Sequence, residues 1–224
     1  MILKGIELKS AVIGMVIGDG CISYRAGRKN AYYQMNHCDK QYDYLIWKKQ
    51  ILDNITSSSV SKTEKIMNKK RYPGYHLSTR QHPYFTKLYK RFYHNKVKVL
   101  DEYLVKMINP LALSIMYMDD GTFGKHHGNG NGKDSFYLCT QNFDYANNSL
   151  LRKSLKINFD LEWNLNKANK SKDGTYNYRL RLASRCNDKF LNIIRPHLIP
   201  CMQYKLGSKT LTNLKKDCDI VRTI

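Results

Sequence analysis

The stretch V-I-G-M-V-I-G-D-G, residues 12–20, is an apolar run that ends abruptly on Asp19 between two glycines. Residues 113–121, L-S-I-M-Y-M-D-D-G, repeat this pattern and end on Asp120 before a glycine. The two acids are 101 residues apart, which indicates that one structural unit occurs twice in the chain. The repeat therefore predicts two matching apolar helices, each with a carboxylate at its C-terminal end.

The simplest interpretation takes Gly20 and Gly121 as left-handed caps that only stop the two helices. It explains the glycines but not the acids, because a helix C-terminus is already partly negative and neighbouring aspartates repel each other. A divalent cation between the acids removes both costs, and few carboxylates with water and phosphate oxygens suit Mg²⁺. The pattern therefore favours a Mg²⁺ site at Asp19 and Asp120, where we expect Mn²⁺ to substitute.

Gly14 and Gly18 are four residues apart and share one face of the first apolar helix. A face without side chains lets another backbone approach closely, as at other small-residue helix interfaces. The second apolar helix is the natural partner, and we expect Ser114 to provide the small contact on its side. This packing would bring Asp19 and Asp120 together.

The chain of 224 residues carries 38 Lys and Arg against 18 Asp and Glu, a formal net charge of +20. Such an excess favours a polyanionic partner, with nucleic acid ahead of an anionic membrane, while charge kept only for solubility is the plain alternative. The apolar run at 11–17 is too short for a bilayer, which needs about 20 residues. We therefore expect nucleic acid as the partner and no membrane.

None of the six cysteines forms a C-x-x-C pair, so the spacing supports neither a zinc site nor a redox motif. His37 and Cys38 would point to opposite faces of a strand and could not share a metal. His126 and His127 are expected on a surface loop. Scattered thiols favour a reducing compartment, and the N-terminus runs straight into the first motif, so no signal or transit peptide is expected.

Each half reads as helix, two strands, helix, two strands, helix, an α+β pattern with antiparallel hairpins. Pro73-Gly74 signals the turn of one hairpin in the first half. We assign residues 1–93 to the first repeat, 94–110 to a connector and 111–224 to the second repeat.

The two nonapeptides, matched in register, resemble the motif of the LAGLIDADG homing endonucleases of the monomeric, two-motif type. The second motif departs from the family pattern at Ile115, which replaces a glycine, and at Asp119, where a small residue is usual. Residues 194–206, I-R-P-H-L-I-P-C-M-Q-Y-K-L, look like the C-terminal signature of members encoded in organellar introns. The resemblance covers nearly the whole chain. It implies a pseudo-two-fold pair of αββαββα repeats, with antiparallel sheets forming a DNA-binding saddle and the motif helices packed at the centre.

The resemblance implies a site-specific, Mg²⁺-dependent endonuclease that promotes intron mobility. Such an enzyme would hydrolyse both strands of one long double-stranded DNA target and leave short 3′ overhangs. Because the two halves differ in sequence, we expect an asymmetric target, and we expect a monomer. The implied metal positions are Asp19 and Asp120, with Gly18 and Asp119 directly before them.

The resemblance also implies one active-site lysine after each half. Lys205 would serve the second half and Lys98 the first, with Lys96 as the alternative. Polar groups on the second strand of each half would support the reaction, and Asn36 and Gln141 fit these positions.

Alternation along the strands gives each strand one face for the helices and one for DNA. A β-ribbon fits the major groove, where Arg and Lys can read guanine and Asn and Gln adenine, while other basic residues hold phosphates. The candidates on the hairpins are Tyr24, Arg25, Arg28, Lys29, Asn30, Tyr32, Gln34, Lys69, Lys70, Arg71, His76, Ser78, Arg80, Asn166, Lys167, Asn169, Lys170, Lys172, Asn177, Arg179 and Arg181.

Two other functions are compatible with the same scaffold: an RNA maturase that binds intron RNA as a splicing cofactor, and a non-catalytic DNA-binding regulator. Both acids are present, which favours cutting, and a regulator would need an added helix-turn-helix domain. Richness in Lys, Asn, Tyr and Ile fits an AT-rich organellar genome. We therefore expect a mitochondrion or plastid, with the cytoplasm of a bacterium or phage host as the alternative.

Overall fold

The computed structural model describes residues 2–124, 135–171 and 174–207. His126, His127, Lys172 and Cys218 lie outside these residues. The predicted order of helices and strands in each repeat is confirmed. The elements are α1 Gly5–Ile17, β1 Cys21–Tyr24, β2 Ala31–Cys38, α2 Tyr42–Leu52, β3 Ser58–Met67, β4 Lys70–Thr79, α3 Pro83–Phe92, β5 Tyr93–His94, β6 Val97–Lys98, α4 Glu102–Lys106, α5 Pro110–Asp120, β7 Gly121–Gly124, β8 Ser135–Leu138, α6 Tyr145–Phe159, β9 Trp163–Lys170, β10 Tyr176–Leu182 and α7 Asn187–Ile194.

Each repeat contains one four-stranded sheet, and the two sheets have the same strand order. The order is β1-β2-β4-β3 in the first repeat and β7-β8-β10-β9 in the second, with every neighbouring pair antiparallel. The short hairpin β5–β6 and helix α4 lie between the repeats. This shared topology confirms the predicted pseudo-two-fold α+β architecture. The limits proposed for the repeats and the connector stay predictions.

The sheets place one face on the helices because their strands alternate apolar and polar residues. Along β2, Tyr33, Met35 and His37 are buried, while the residues between them are half-buried or exposed. His37 and Cys38 therefore point to opposite sides, as expected. The face turned away from the helices is called the open face below.

Helices α1 and α5 pack against each other at the centre, and their backbones come into direct contact at Gly14 and Ala112. A Cβ added at Gly14 would lie 2.7 Å from the carbonyl oxygen of Ala112, so only glycine permits this approach. The expected contact through Ser114 is wrong, because its hydroxyl lies 2.7 Å from the carbonyl oxygen of Pro110 and 3.3 Å from that of Ile194 in α7. Ala112 is the small residue that faces α1.

The glycines after the two acids are required by space and not by a left-handed conformation. Gly121 has a φ of −76°, and Gly20 is not among the glycines with positive φ. A Cβ at Gly20 would fall 2.5 Å from the carbonyl oxygen of Met15, and one at Gly121 would overlap the ring of Tyr117. The interpretation of these glycines as left-handed caps is therefore wrong.

The turn predicted at Pro73-Gly74 is also misplaced. The β3–β4 turn lies at Asn68 and Lys69, both with positive φ, and Pro73-Gly74 lies inside β4. A Cβ at Gly74 would lie 2.7 Å from the carbonyl oxygen of His37, so this glycine permits close pairing of β2 with β4.

No helix within the described ranges combines the length and apolar character needed to cross a membrane.

We expect Gly14→Ala to lower the free energy of unfolding by about 1–3 kcal/mol, because the added methyl overpacks two backbones that cannot separate without opening the core. This outcome opposes the helix propensity of alanine, which alone would stabilise the helix by about 1 kcal/mol. Gly124→Ala is the matched control, since its Cβ would meet only the Tyr137 ring at 3.6 Å. Urea unfolding measures both variants, and equal or greater stability of Gly14→Ala would contradict the packing described.

Candidate active site

Asp19 and Asp120 lie at the same end of the packed pair of motif helices. Asp120 is the last residue of α5, and Asp19 follows the end of α1 by two residues. Burial, followed by the charges of Asp19 and Asp119, raises the pKa of Asp120 to about 7. Asp19 keeps an exposed surface, yet desolvation by the surrounding protein also raises its pKa, with Asp119 as the next cause. The helix ends therefore form one electronegative corner.

The carboxylates of Asp19 and Asp120 have no polar partner among the described residues. No hydrogen bond or salt bridge from any residue that the structure describes reaches the side-chain oxygens of Asp19 or Asp120. Carboxylates that are partly desolvated and have no partner are costly, and they are retained chiefly where a ligand or a reaction uses them. The donor set, two free carboxylates in a dense negative corner, fits a hard divalent cation.

Lys98 of β6 lies beside the C-terminus of α1. Its ammonium donates to the carbonyl oxygen of Val16 at 2.7 Å, and the carbonyl oxygen of Gly20 lies at 3.0 Å. Burial lowers the pKa of Lys98, while nearby acids oppose that shift. Lys96, the alternative considered above, is exposed in the β5–β6 turn with a φ of 65°. Of these two lysines, the structure brings Lys98 to the acids.

Lys205 occupies the equivalent position beside the C-terminus of α5. Its ammonium donates to the carbonyl oxygen of Asp119 at 2.8 Å and lies 3.5 Å from that of Tyr117. Burial likewise lowers the pKa of Lys205. Cations at helix C-termini stabilise the helix by about 0.3–1 kcal/mol, so both lysines also have a structural role.

Asn36 lies on β2 as predicted, on the open face, where its Oδ1 is 3.0 Å from Nδ1 of His76. Gln141 does not lie on the second strand of its half, because β8 ends at Leu138 and Gln141 falls in the following turn. Strand register makes Cys139 the counterpart of Asn36, since its N–H donates to the carbonyl oxygen of Asp120 at 2.9 Å. The longer connection between β7 and β8 hides this offset in the sequence.

Asp119 has a different environment from its neighbour Asp120. Its carboxylate forms an ion pair with Lys48 of α2, and both side chains are fully buried. The hydroxyl of Tyr44 donates to the same oxygen at 2.8 Å, and the N–H of Asp19 donates to the other oxygen at 3.2 Å. Sequence patterns did not predict this network, because Lys48 is one lysine among many and nothing marks it as buried.

One group of three residues has a spacing that could suit a metal. Ligand atoms of Asp19, His37 and Asp119 lie within 4.8 Å of one another. However, the ammonium of Lys48 lies 3.3 Å from Nε2 of His37 and is paired with Asp119, so a cation of the protein already occupies this position. Burial and the Lys48 charge lower the pKa of His37 to about 4, which leaves the ring neutral near pH 7.

The structure places part of the DNA-contact candidates on the open faces. In antiparallel sheets, paired residues share a face, and the pairs Asn36–His76 and Tyr137–Arg181 mark the open side of each sheet. The strand register also places three residues of the second sheet on the open face that were not among the candidates: Thr122, Tyr137 and Asn164. Candidates on the open faces are Tyr32, Gln34, Lys70, His76, Ser78, Asn166, Arg179 and Arg181.

The other candidates for DNA contact do not lie on the open faces of the sheets. The ring of Tyr24 packs edge-on against Tyr89 of α3, on the helix side of the first sheet. Arg71 also lies on the helix side and forms an exposed ion pair with Glu64 at 3.0 Å. Lys167 pairs with Tyr178, which contacts α6. The remaining described candidates lie in turns or near strand ends: Arg25, Arg28, Lys29, Asn30, Lys69, Arg80, Asn169, Lys170 and Asn177.

Comparison with known proteins gives one family and several relatives. The sequence profile of the LAGLIDADG DNA endonuclease family matches residues 9–190. The chain is 24% identical over 211 residues to DNA endonuclease I-ChuI of Chlamydomonas applanata, covering 90% of this chain and 94% of that protein. It is 29% identical over 201 residues to Protein RecA of Mycolicibacterium flavescens, covering 87% of this chain but 45% of that protein. The chain therefore spans about half the length of this RecA relative.

Two further similarities concern a maturase and a solved structure. The chain is 25% identical over 206 residues to cytochrome b mRNA maturase bI2 of Debaryomyces hansenii, covering 90% of this chain and 74% of that protein. The solved structure of the homing endonuclease I-WcaI bound to its DNA recognition sequence has a TM-score of 0.77 and 24% identity. That match covers 92% of this chain and 88% of I-WcaI, and it shows that the two share a fold.

We expect Lys48→Met to lower the free energy of unfolding by about 3–5 kcal/mol, because it leaves the buried charge of Asp119 without its partner. The matched control is Lys49→Met, which breaks the partly exposed pair between Lys49 of the same helix and Asp53 just after it, at a cost of about 0.5 kcal/mol or less. Chemical denaturation measures both variants. Equal losses would show that the Lys48 pair is not special.

Without divalent cations, we expect Asp120→Asn to raise the melting temperature more near pH 8 than near pH 4. The folded carboxyl keeps its proton up to a pKa of about 7, against 3.8 unfolded, so Asp120 removes stability as pH rises through this window. His37, with its lowered pKa, acts in the opposite direction but is present in both proteins, so the difference isolates Asp120. Thermal unfolding at several pH values tests this, and a constant difference contradicts it.

Proposed function

The chain belongs to the LAGLIDADG DNA endonuclease family, and we propose that it is a site-specific homing endonuclease that hydrolyses both strands of a long, asymmetric double-stranded DNA target. The observation that carries this proposal is the pair of unpartnered carboxylates, Asp19 and Asp120, at the ends of two packed helices. Each helix end also holds a half-buried lysine, Lys98 or Lys205. This arrangement repeats across the pseudo-two-fold, as cutting two strands requires.

We propose Mg²⁺ as the cofactor, held by the carboxylates of Asp19 and Asp120, with Mn²⁺ able to substitute. The bound ion would activate water and compensate charge on the phosphate. The carbonyl oxygens of Gly18 and Asp119 lie beside the acids, but Lys98 and Lys205 already approach them at 3.4 Å and 2.8 Å. The carboxylate of Asp119 does not fit as a ligand, because protein donors occupy both of its oxygens.

Lys98 and Lys205 supply fixed positive charge next to the scissile phosphates. Backbone carbonyls hold each ammonium at the end of its motif helix, so little reorganisation is needed when charge develops in the transition state. Because burial lowers their pKa values, more of each amine is neutral near pH 7 than in an exposed lysine, and a neutral amine can accept a proton from the attacking water. Each lysine therefore polarises the attacking water or steadies the phosphate.

DNA lies against the open faces of the two sheets. The net charge of +20 provides affinity for the phosphate backbone, and the side chains of the open faces provide the sequence reading. These faces differ: the first presents Gln34, Asn36 and His76, while the second presents Arg179 and Arg181. The target is therefore asymmetric. The resemblance to the two-motif type of the family supports action as a monomer that leaves short 3′ overhangs.

The biological role that fits this reaction is intron mobility in an organelle. The similarity to a cytochrome b mRNA maturase supports a mitochondrial or plastid setting. The similarity to a mycobacterial RecA protein supports the alternative, a bacterial cytoplasm.

The same maturase relative supports a second candidate function, assistance in the splicing of intron RNA. That activity needs the basic surface but not the carboxylates of Asp19 and Asp120. A non-catalytic DNA-binding regulator has no supporting observation among these similarities.

The test is cleavage of a highly diverse plasmid library with Mg²⁺. We expect the wild type to select one long asymmetric site, and Asp19→Asn and Asp120→Asn to lose double-strand cutting by about 100-fold or more while still binding it. Asp188→Asn, which removes an exposed acid of α7, is the control and should cut like the wild type. A wild type that binds nucleic acid but never cuts DNA would contradict the endonuclease and direct the test to intron RNA.

A further inference from the structure

We propose that Asp119 is a positioning residue that crosses the interface between the two repeats and fixes the backbone carrying Asp19. This inference rests on the proposed endonuclease function. In this role Asp119 places both Asp19 and Lys205 and is not itself a metal ligand.

The crossing is possible because Gly18, the counterpart of Asp119 in the first motif, has no side chain. A Cβ at Gly18 would lie 2.7 Å from the Cβ of Asp119, so any larger residue would exclude the acid. The side chain of Asp119 extends over this glycine, and its Oδ2 accepts the N–H of Asp19 at 3.2 Å. The residue from the second repeat therefore holds the chain of the first repeat at the point where it presents Asp19.

The first repeat supplies the charge that makes this buried acid tolerable. Lys48 and Tyr44 of α2 both donate to Oδ1 of Asp119, and the Lys48 ammonium lies 4.2 Å from the centre of the Tyr44 ring. A buried carboxylate without a cation would be strongly destabilising. Lys48 has no exposed surface, and its contacts indicate that it neutralises Asp119.

The network continues from Lys48 to the segment that carries Lys205. Nε2 of His37 accepts from Lys48 at 3.3 Å, and the neutral ring donates from Nδ1 to Gln41 at 2.9 Å. The Gln41 amide donates in turn to the hydroxyl of Tyr204 at 3.2 Å, one residue before Lys205.

Asp119 closes this network through its own backbone. Its carbonyl oxygen accepts from the ammonium of Lys205 at 2.8 Å, while its side chain accepts from the N–H of Asp19. One residue therefore fixes the distance between an acid of the first repeat and a lysine of the second.

No equivalent side chain crosses in the other direction, because Gly18 has none to offer. The corner of the second repeat that matches His37 is closed by neutral groups, Thr140 and Asn148, which bond to each other and to the local backbone. The charged network is therefore found in the first repeat, where Asp119 enters, and is not repeated at the matching position of the second repeat.

The test uses the double variant Lys48→Met/Asp119→Ala, which removes both buried charges together and so remains foldable. We expect its single-turnover cleavage rate at saturating Mg²⁺ to fall by about 10–100-fold, the range for residues that orient a metal ligand from outside. The Mg²⁺ concentration for half-maximal rate should stay within about twofold of the wild type. If Asp119 were a ligand, the Mg²⁺ requirement would rise instead and excess Mg²⁺ would restore the rate.

Lys48→Met/Asp119→Asn is the conservative partner, because asparagine keeps an oxygen that can accept the N–H of Asp19. We expect it to recover most of the rate, whereas a role in stability alone would leave both folded double variants as fast as the wild type. Amide hydrogen exchange at Asp19 provides a readout independent of cleavage, with protection lost in the alanine variant and kept in the asparagine variant. Absence of cutting by the wild type would refute the proposed function, while unchanged Asp19 protection in the alanine variant would refute the positioning role.

Discussion

The contact between Gly14 of α1 and Ala112 of α5 is the constraint on which the rest of the structure depends. The two backbones meet without intervening side chains, so the helices form the common core of both repeats. Their C-terminal ends then coincide, and the acids that follow must share one corner. The three lysines of the site, Lys48, Lys98 and Lys205, lie around the negative charge at that corner.

The protein balances that charge in two different ways and leaves two acids without a partner. Lys98 and Lys205 bind the carbonyl oxygens at the two helix ends, where a cation is favoured. Lys48 neutralises Asp119 inside the core. Asp19 and Asp120 receive no such partner from the described residues. The raised pKa of Asp120 shows that its charged form is disfavoured there. The negative charge of the corner is therefore compensated except at Asp19 and Asp120, the two side chains that would hold the proposed metal.

Much of this arrangement could be predicted from the sequence because its signals are local. The repeated apolar run, the spacing of Gly14 and Gly18, and the alternation along β2 are visible in short windows. Contacts that join distant segments were not visible: Lys48 reaches Asp119 across the interface, and Ala112, not Ser114, faces α1. The predicted strand position of Gln141 was wrong for a related reason. The connection between β7 and β8 is longer than that between β1 and β2, so residues at matching places in the sequence are not at matching places in the sheet.

A crystal structure of the protein bound to its selected DNA with Mn²⁺, which anomalous scattering locates, would show which side chains hold the metal. We expect Mn²⁺ in contact with carboxylate oxygens of Asp19 and Asp120, while the carboxylate of Asp119 remains paired with Lys48. Mn²⁺ bound between Asp19, His37 and Asp119 with Lys48 displaced, or DNA bound with no metal at the acids, would contradict this expectation.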